Sequence, residues 1–490
     1  MCGITGIYAF NMIGRVSMIH LANATKALAH RGPDFQNTVH DDAVGLGHRR
    51  LSVIDPTPDG NQPMTDPSGR YTLVYNGEIY NYRELKQELE QKGINFRSNS
   101  DSEVLLHLLI RENRKALDKL NGFFAFALYD RQAGSILLAR DRMGIKPLYY
   151  FSDNDRFLFA SELKSILAYG IEKEIDYEAL YCYLQINYIP APKSILRGVQ
   201  KLRPGEFIYI DRQTFTKESY YSPPSYSDTP SGLNYEKQKQ RFTELLEEAV
   251  SARLVADVPL FSVGYADEPF FDETKYAESV AKKIGSRHHV FKLTGNDLLQ
   301  QADYILEHID EPFADSSAIA VNILSRETRK HVTVALSGDG ADELLGGYNK
   351  HSAFLRLKEG GAAVKMASAL GPLWKVLPKS RNNKLTNLFR QLDRLSEGEK
   401  LDSRARYWRW AGYATETAAR NMLSTASRDL LDEQKYQDFK NDLLYSLPAF
   451  DEDLNDILYL DQRIVLPDDM LTKVDRMSMA YNLEVRVPFL

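Results

Sequence analysis

Cys2 stands directly behind the initiator in Met1-Cys2-Gly3-Ile4-Thr5-Gly6, where loss of Met1 would put a thiol and a free amine on one residue. An α-amino group titrates at about 7.7–8.0 and a thiol near ~8.5, so near neutral pH the amine can take the thiol proton, directly or through a water. Cys2 would then carry its own base. Thiol attack on an amide needs donors for the developing oxyanion, a cation for a substrate carboxylate and an anion for a substrate ammonium. Polar clusters at turns and strand ends, where sites are commonly built, offer all three: His30-Arg31-Gly32-Pro33-Asp34, Arg50-Leu51-Ser52, Asn76-Gly77-Glu78-Ile79-Tyr80-Asn81 and Ser100-Asp101. Asn76 through its side chain and Gly77 through its backbone N–H suit an oxyanion hole, Arg50 suits bidentate capture of a carboxylate, and Asp101 suits an ammonium. Each also has a plain structural reading. Asn-Gly is common in hairpin turns, Arg50 can be a surface charge, Asp101 a helix cap, and Cys2 a small residue after the initiator.

The elements that position these residues fall into more than one domain, because 490 residues exceed one ordinary core and suit two or three domains of ~100–250 residues. Charges are mixed, 61 basic against 67 acidic, so a net charge of −6 offers no broad basic face and argues against nucleic-acid binding. Two cysteines, Cys2 and Cys182, are too few for a disulfide framework or a cysteine-rich structural metal site and fit the cytoplasm. No apolar run reaches the ~20 residues of a membrane helix, and the first residues lack the order of a signal peptide. A cleaved leader would also discard Cys2.

Up to about residue 210 the chain is dense in strands, predicted at residues 4–10, 44–53, 72–75, 123–129, 135–139, 148–151 and 157–160. Helices are predicted at 82–92, with Asn81 as N-cap and Gly93 just past the end, and at 102–112, capped by Ser100 or Asp101. Such segregation suggests sheets layered with helices. Residues 211–235 turn rich in Ser, Pro and Tyr and read as a connection, so domains 1–210 and 236–490 are expected. After a helical stretch at 235–255, strands at 261–265, 289–293 and 332–336 alternate with helices at 274–284 and 318–329. That order predicts a parallel sheet with helices on its faces and ligands beyond the carboxyl ends of its strands. Ser337-Gly338-Asp339-Gly340-Ala341-Asp342-Glu343 follows the last of these strands, and from Glu359 the chain reads as mostly helical.

Taken together, MCGITGIYAF, HRGPD, HRRLSVID, VYNGEIYN, SNSDSEVLL, LNGFFAFALYD and LARDRMGIKPLYY resemble the glutamine amidotransferase domain of the N-terminal-nucleophile type. VTVALSGDGADELLGGY with LTKVDRMSMAYNLEVRVPFL resembles the synthetase half of glutamine-hydrolysing asparagine synthetases, so the resemblance runs through nearly the whole chain. It implies an α/β and α+β protein: an N-terminal layered αββα amidotransferase domain, then a parallel-sheet adenylate-forming α/β domain with a helical C-terminal part. Cys2 is then the nucleophile, its amine the base, Asn76 and Gly77 the oxyanion hole, and Arg50, Leu51, Glu78 and Asp101 the glutamine contacts. The resemblance also implies a second reaction. Ammonia freed at Cys2 travels inside the protein to a carboxylate that ATP has activated as its acyl-adenylate, giving asparagine, AMP and pyrophosphate. There it implies Val263 near adenine and Ser337 and Gly338 beside the nucleotide. Asp339, Asp342 and Glu343 become candidates for a base toward ammonium and for Mg²⁺ contacts, with Lys473 and Arg476 offsetting charge on the adenylate and pyrophosphate. An acidic turn and a charged helix face are their plain readings. The implied partners are glutamine, ATP and aspartate or another carboxylate, in a homodimer.

The sequence departs from the family at one place. A strand ending in a Ser-Gly-Gly-x-Asp-Ser loop, then a helix, is expected after Arg253-Leu254-Val255-Ala256-Asp257-Val258-Pro259-Leu260. Instead Phe261-Ser262-Val263-Gly264-Tyr265, which resembles the next strand of that fold, follows at once. A unit of ~30 residues is expected to be missing, and with it the loop whose backbone N–H groups would cradle pyrophosphate. The chain is also expected to stop, at Leu490, where the family continues. Beside the complete synthetase stand two other readings: a glutaminase that releases ammonia without using it, and a non-catalytic subunit bound to an intact synthetase.

Overall fold

Gly3–Ala9 is buried along its whole length, as a strand in the middle of a covered sheet must be. The computed structural model describes residues 2–211, 214–224, 232–254, 259–266, 272–381, 383–447, 450 and 453–490. In it Gly3–Ala9 pairs antiparallel with Val44–Arg50 on one side and Arg156–Ala160 on the other. Phe35–His40 closes one edge of this six-stranded sheet, and Tyr149–Ser152 and Val199–Lys201 extend the other. A second six-stranded antiparallel sheet runs in the order Phe215–Ser219, Glu206–Ile210, Ser135–Arg140, Gly122–Asp130, Tyr71–Ile79, Met64–Thr65.

Period-two alternation distributes the side chains of each strand between layers. Ile4 and Tyr8 point between the sheets, where they meet Leu46, Val74, Leu138 and Phe159. Ile7, on the opposite face of the same strand, packs with Leu21 of helix Leu21–Lys26 and Ile166 of helix Leu163–Leu167. The outer face of the second sheet is covered by helices Tyr82–Gln91 and Asp101–Glu112 through Leu85, Leu105 and Phe126. Helix, sheet, sheet, helix is the layering that the family resemblance implied.

The sequence and the structure differ mainly at edges. Phe215–Ser219 lies inside the stretch read as a connection, yet it is an edge strand paired with Glu206–Ile210. All five of its residues are exposed, so no alternation marks it. Residues 212–213 and 225–231 of that stretch lie outside the described residues. Ser100, rather than Asp101, caps its helix, accepting from Ser102 N, which leaves the Asp101 carboxylate for other work. Asn81 caps nothing; its side chain donates to the Lys119 carbonyl and accepts from Asn121 N.

The second half pairs its strands in parallel, as expected, but among the described residues they form two separate pairs. Leu260–Tyr265 runs beside His288–Leu293, and Val334–Leu336 beside Glu484–Arg486. Helix Thr274–Ile284, closed by Gly285 at φ +69°, joins the first two strands. Ser317–Arg329 packs against Leu471–Met479, the end of a long helical rod. That rod begins at Leu454–Leu460 and widens into π turns over Asp461–Met470, which accommodate Pro467. No helix among the described residues is long and apolar enough to cross a membrane.

The two halves meet through buried charge. Arg31 is fully buried and donates from Nη1 to Glu162 at 2.8 Å and to Asp475 at 2.7 Å, and from Nη2 to Asp475 at 3.0 Å. Lys146 reaches Asp475 at 3.1 Å, while Arg476 reaches Glu162 at 3.0 Å and Asp310 at 3.3 Å. Each buried ion is tolerable only because its neighbours carry the opposite sign, and removing one partner from such a cluster typically costs about 3–5 kcal/mol.

Asp475→Asn takes from Arg31 and Lys146 the carboxylate they share, so its urea midpoint should fall by an amount equivalent to about 3–5 kcal/mol. Burial alone would raise the Asp475 carboxyl, but Arg31 and Lys146 overcome it and hold it at about 2. A depressed carboxylate stabilises the fold fully above its ordinary value of about 4, and the contribution disappears as pH falls toward the folded value. The gap between wild type and Asp475→Asn should therefore narrow between pH 5 and pH 2 in denaturant titrations. A constant gap would exclude this role.

Candidate active site

Cys2 precedes Gly3–Ala9 and is pinned through its backbone. Its nitrogen donates to Asn76 Oδ1 at 2.9 Å, and its carbonyl accepts from Arg31 Nε at 3.1 Å. The thiol lies 3.9 Å from the Leu51 carbonyl, at a cleft lined also by Arg50, Gly77, Glu78, Asp101 and Glu484. Burial pushes the thiol above its usual range, against the opposing pull of the Leu51 contact and Arg50. His48, on the neighbouring strand Val44–Arg50, is no alternative base. Its Nε2 bonds the Tyr75 carbonyl at 3.1 Å, and burial pushes its ring down to about 3.

Asn76 and Gly77 lie in the interior of Tyr71–Ile79, not at a turn. Asn76 is fully buried; Oδ1 holds the Cys2 nitrogen, and Nδ2 has no hydrogen-bond partner. Leaving such a donor unmet costs about 1–3 kcal/mol, so it is a place where an incoming oxygen is favoured. Alternate residues 75, 77 and 79 turn their backbone groups away from Gly122–Asp130, toward the open edge of the strand. The Tyr75 N–H is taken by Gln62 Oε1 at 2.6 Å and the Ile79 N–H by Asp101 Oδ2 at 3.1 Å. Opposite Gly77, Phe124 gives both its backbone groups to Asp141, which leaves the Gly77 N–H facing the cleft. Glycine is required there: a Cβ would stand 2.2 Å from the Phe123 carbonyl oxygen.

The charged residues are held just as firmly. Asp101 Oδ2 also accepts from the Tyr75 hydroxyl at 2.8 Å, and burial raises its carboxyl. The Arg50 guanidinium donates to the carbonyls of Thr57 (2.8 Å), Ile54 (3.4 Å) and Asp55, and to Asn61 Oδ1 (2.7 Å). It therefore braces the loop of residues 54–61, and bidentate capture of a carboxylate requires some of these bonds to be exchanged. The Glu78 carboxyl is raised by burial and by nearby Glu484 and Asp101, and it pairs with Arg486 at 3.0 Å. Leu51 sends its side chain into an apolar cluster with Phe123 and Ile145 that continues into Leu466, Leu471 and Val487 of the second half.

Glu484 and Arg486 escaped the sequence reading. They are alternate residues of a three-residue strand and so share a face, but nothing local says which face or against what. Tyr75 could have been found, because it shares its parity with Gly77 and Ile79.

The residues expected at a second site are only partly brought together. Ser337 follows Val334–Leu336, its N–H donates to the Arg486 carbonyl at 2.9 Å, and its hydroxyl donates to the Asp339 carboxylate. Gly338 is open on the side where a Cβ would stand, while Asp342 packs so close to Gly347 that no Cβ fits there. Glu343 is buried, accepts from the Tyr348 hydroxyl and is raised by burial. These residues share one turn. Val263 belongs to the other strand pair, Lys473 donates to Asp315 and Ser317 at 2.9 Å each, and Arg476 is engaged at the domain boundary by Glu162 and Asp310. Among the described residues no group of three or more His, Cys, Asp or Glu could hold a metal ion. A magnesium ion there would depend on one or two carboxylates plus phosphate and water oxygens.

Two family models match the chain, a glutamine amidotransferase domain over residues 1–221 and asparagine synthase over residues 249–490. An asparagine synthetase [glutamine-hydrolyzing] 1 of Bacillus subtilis (strain 168) is 31% identical over 525 aligned positions, covering 100% of this chain and 79% of that protein. Another from the same strain, asparagine synthetase [glutamine-hydrolyzing] 3, is 30% identical over 392 positions, 71% of this chain and 63% of that protein. In Arabidopsis thaliana, asparagine synthetase [glutamine-hydrolyzing] 2 is 28% identical over 388 positions, 71% of this chain and 61% of that protein. With Cys2 and Gly77 lining one cleft of a layered αββα domain, Asn76 bonded to the Cys2 nitrogen, and the two family models spanning the halves of the chain, the protein belongs to the glutamine-hydrolysing asparagine synthetase family.

Proposed function

We propose that the Cys2 cleft is where this glutamine-dependent carbon–nitrogen ligase takes its nitrogen. The observation that carries the reading is the unmet donor Asn76 Nδ2 and the outward-turned Gly77 N–H, beside a cysteine whose own nitrogen Asn76 holds. With Met1 removed, that nitrogen is an amine and takes the thiol proton. The sulfur attacks the side-chain amide carbon of glutamine, and Asn76 Nδ2 and Gly77 N–H hold the oxyanion. Collapse breaks the C–N bond, the amine returns its proton to the leaving nitrogen, and ammonia departs from a thioester. Water attacks the thioester, giving glutamate and restoring the thiol. Asp101 and Glu78 receive the α-ammonium and Arg50 the α-carboxylate. The apolar cluster from Leu51 to Val487 supports a dry route by which ammonia reaches the second half uncharged.

In that half we assign ATP to Ser337 and Gly338, with adenine toward Val263, and aspartate as the carboxylate it activates. Asp339 and Asp342 are assigned to Mg²⁺ and Glu343 to the proton that ammonium must lose. Lys473 and Arg476 would offset adenylate and pyrophosphate charge by exchanging their present carboxylate partners. A homodimer follows from the family resemblance alone, and two free cysteines fit a cytoplasmic setting.

A second reading, hydrolysis without amidation, is favoured by the split pairs of parallel strands. We infer two domains, 1–210 and 236–490, the second lacking a strand-loop-helix unit near Pro259. Three observations support this. The parallel strands do not join into one sheet among the described residues. Helix Tyr235–Arg253 leaves Phe242 and Leu245 41% and 46% exposed. Alignment to the first B. subtilis relative spans 525 positions, against 490 residues here.

Cys2→Ala should abolish glutamate release from glutamine, and Asn76→Ala should lower kcat by about 10²–10³. Near-normal hydrolysis in Cys2→Ala would sink the assignment, and intact mass should show loss of Met1. Supplying ATP, Mg²⁺ and aspartate, with glutamine or ammonium, separates the two readings. The split sheet predicts no pyrophosphate above background while glutamine is still cleaved, since displacing phosphate contacts by about 1 Å can cost ~10² in rate. Clear aspartate-dependent pyrophosphate release would establish complete synthesis by this chain.

A further inference from the structure

Arg486 comes from the second half of the chain, yet its side chain ends against Glu78, a residue that lines the glutamine cleft. Arg486 is 3% exposed; Nε donates to Glu484 at 2.7 Å, Nη1 donates to the Arg253 carbonyl at 3.1 Å, and Nη2, without a hydrogen-bond partner, forms an ion pair with Glu78 Oε2 at 3.0 Å. Its backbone is fixed by parallel pairing with Leu336 and by the Ser337 N–H. Three carboxylates converge on the cleft: Glu78 on the strand that carries Gly77, Asp101 at the start of its helix, and Glu484 from across the domain boundary. Three such groups in a buried space repel one another, and one would take up a proton or swing away unless a cation stood among them. Arg50 lines the same cleft, but its terminal nitrogens are committed to the 54–61 loop. Arg253 is committed to the Leu490 carbonyl and to the Tyr80 ring at 4.4 Å.

We propose that Arg486 is a positioning residue for glutamine recognition, holding the Glu78 carboxylate in the orientation from which it and Asp101 take the substrate ammonium. The glutamine site of the first domain is then completed by a strand of the second. This rests on the reading of the Cys2 cleft as the glutamine site.

The groups around Glu78 from neighbouring elements are Asp101, Glu484, Arg486, Tyr75, Arg50 and the Cys2 amine of the processed chain, and of the cationic ones Arg486 is the side chain in ion-pair contact with it. Replacing Arg486 by methionine removes the charge and keeps the apolar stem. In the full-length protein, Arg486→Met should raise KM for glutamine by about 10–100-fold and leave kcat within a few-fold, the pattern of lost ground-state binding. Glu78 would then protonate at higher pH, so the acid limb of kcat/KM should move up. Cys2 alkylation by neutral iodoacetamide should keep its wild-type rate.

Glu78→Gln should raise KM to a similar degree, and Glu78→Gln with Arg486→Met should be no worse than Glu78→Gln alone, because the two act through one contact. The double variant removes the Glu78 charge together with its Arg486 partner, so only Glu484 loses Arg486, and it serves as the test if Arg486→Met alone fails to fold. An unchanged KM and acid limb in Arg486→Met would overturn the inference. So would a further multiplicative loss in the double variant, or slowed alkylation accompanying the KM rise. A wild-type chain inert toward glutamine would overturn the cleft assignment, and the inference with it.

Discussion

Arg31 is the constraint on which the molecule turns. A guanidinium with no exposed surface needs anions on every side, and it finds Glu162 in its own half and Asp475 in the other, while its Nε keeps the Cys2 carbonyl in place. Cys2, the sheet that follows it and the helix Leu471–Met479 are therefore fixed by a single side chain. Pairing of this kind adds little net stability compared with an apolar core, because desolvation offsets most of the Coulomb gain. What it supplies is geometric: only one docking of the halves leaves no buried ion alone.

Within the first half, the geometry of the Cys2 cleft comes from a strand edge. Tyr71–Ile79 pairs fully with Gly122–Asp130 on one side, and on the other its backbone donors have, among the described residues, no neighbouring strand beyond Leu73. Gln62 and Asp101 take two of those donors, which fixes the line of the edge and leaves the one between them for a ligand. Donors held this way need no reorganisation when negative charge develops. The second half shows the reverse situation. Its turn at Ser337 to Glu343 is well bonded internally, yet the other residues expected beside a nucleotide are committed elsewhere.

The readable parts of the sequence were those governed by local pattern. Buried strands such as Gly3–Ala9 and Arg156–Ala160 declare themselves by apolar content, and Thr274–Ile284 by helical spacing with a terminal glycine. Asn76-Gly77 illustrates the limit: the same dipeptide makes a tight turn or, as here, a strand interior, and the choice depends on Phe123 crossing beside it. Phe215–Ser219 was illegible because an exposed edge strand has no alternation. Arg50 was read as a ligand for substrate, while its present partners are loop carbonyls that only the folded chain assembles. Glu484 and Arg486 were out of reach for a different reason. Their meaning lies in a contact with Glu78 some four hundred residues away, and no local periodicity encodes that.

The sequence separation of the Arg31–Asp475 contact, 444 residues, bears on when the cleft comes into being. Contacts this distant form late, after local elements, because loop closure must be completed before they gain anything. On a ribosome the first domain emerges and builds its layers long before Asp475, Glu484 and Arg486 exist. During that interval the cleft lacks one wall and Arg31 lacks its strongest anion. On the glutamine reading proposed for the cleft, a half-made chain would be a poor consumer of glutamine, and ammonia would be set free only once the second half has docked.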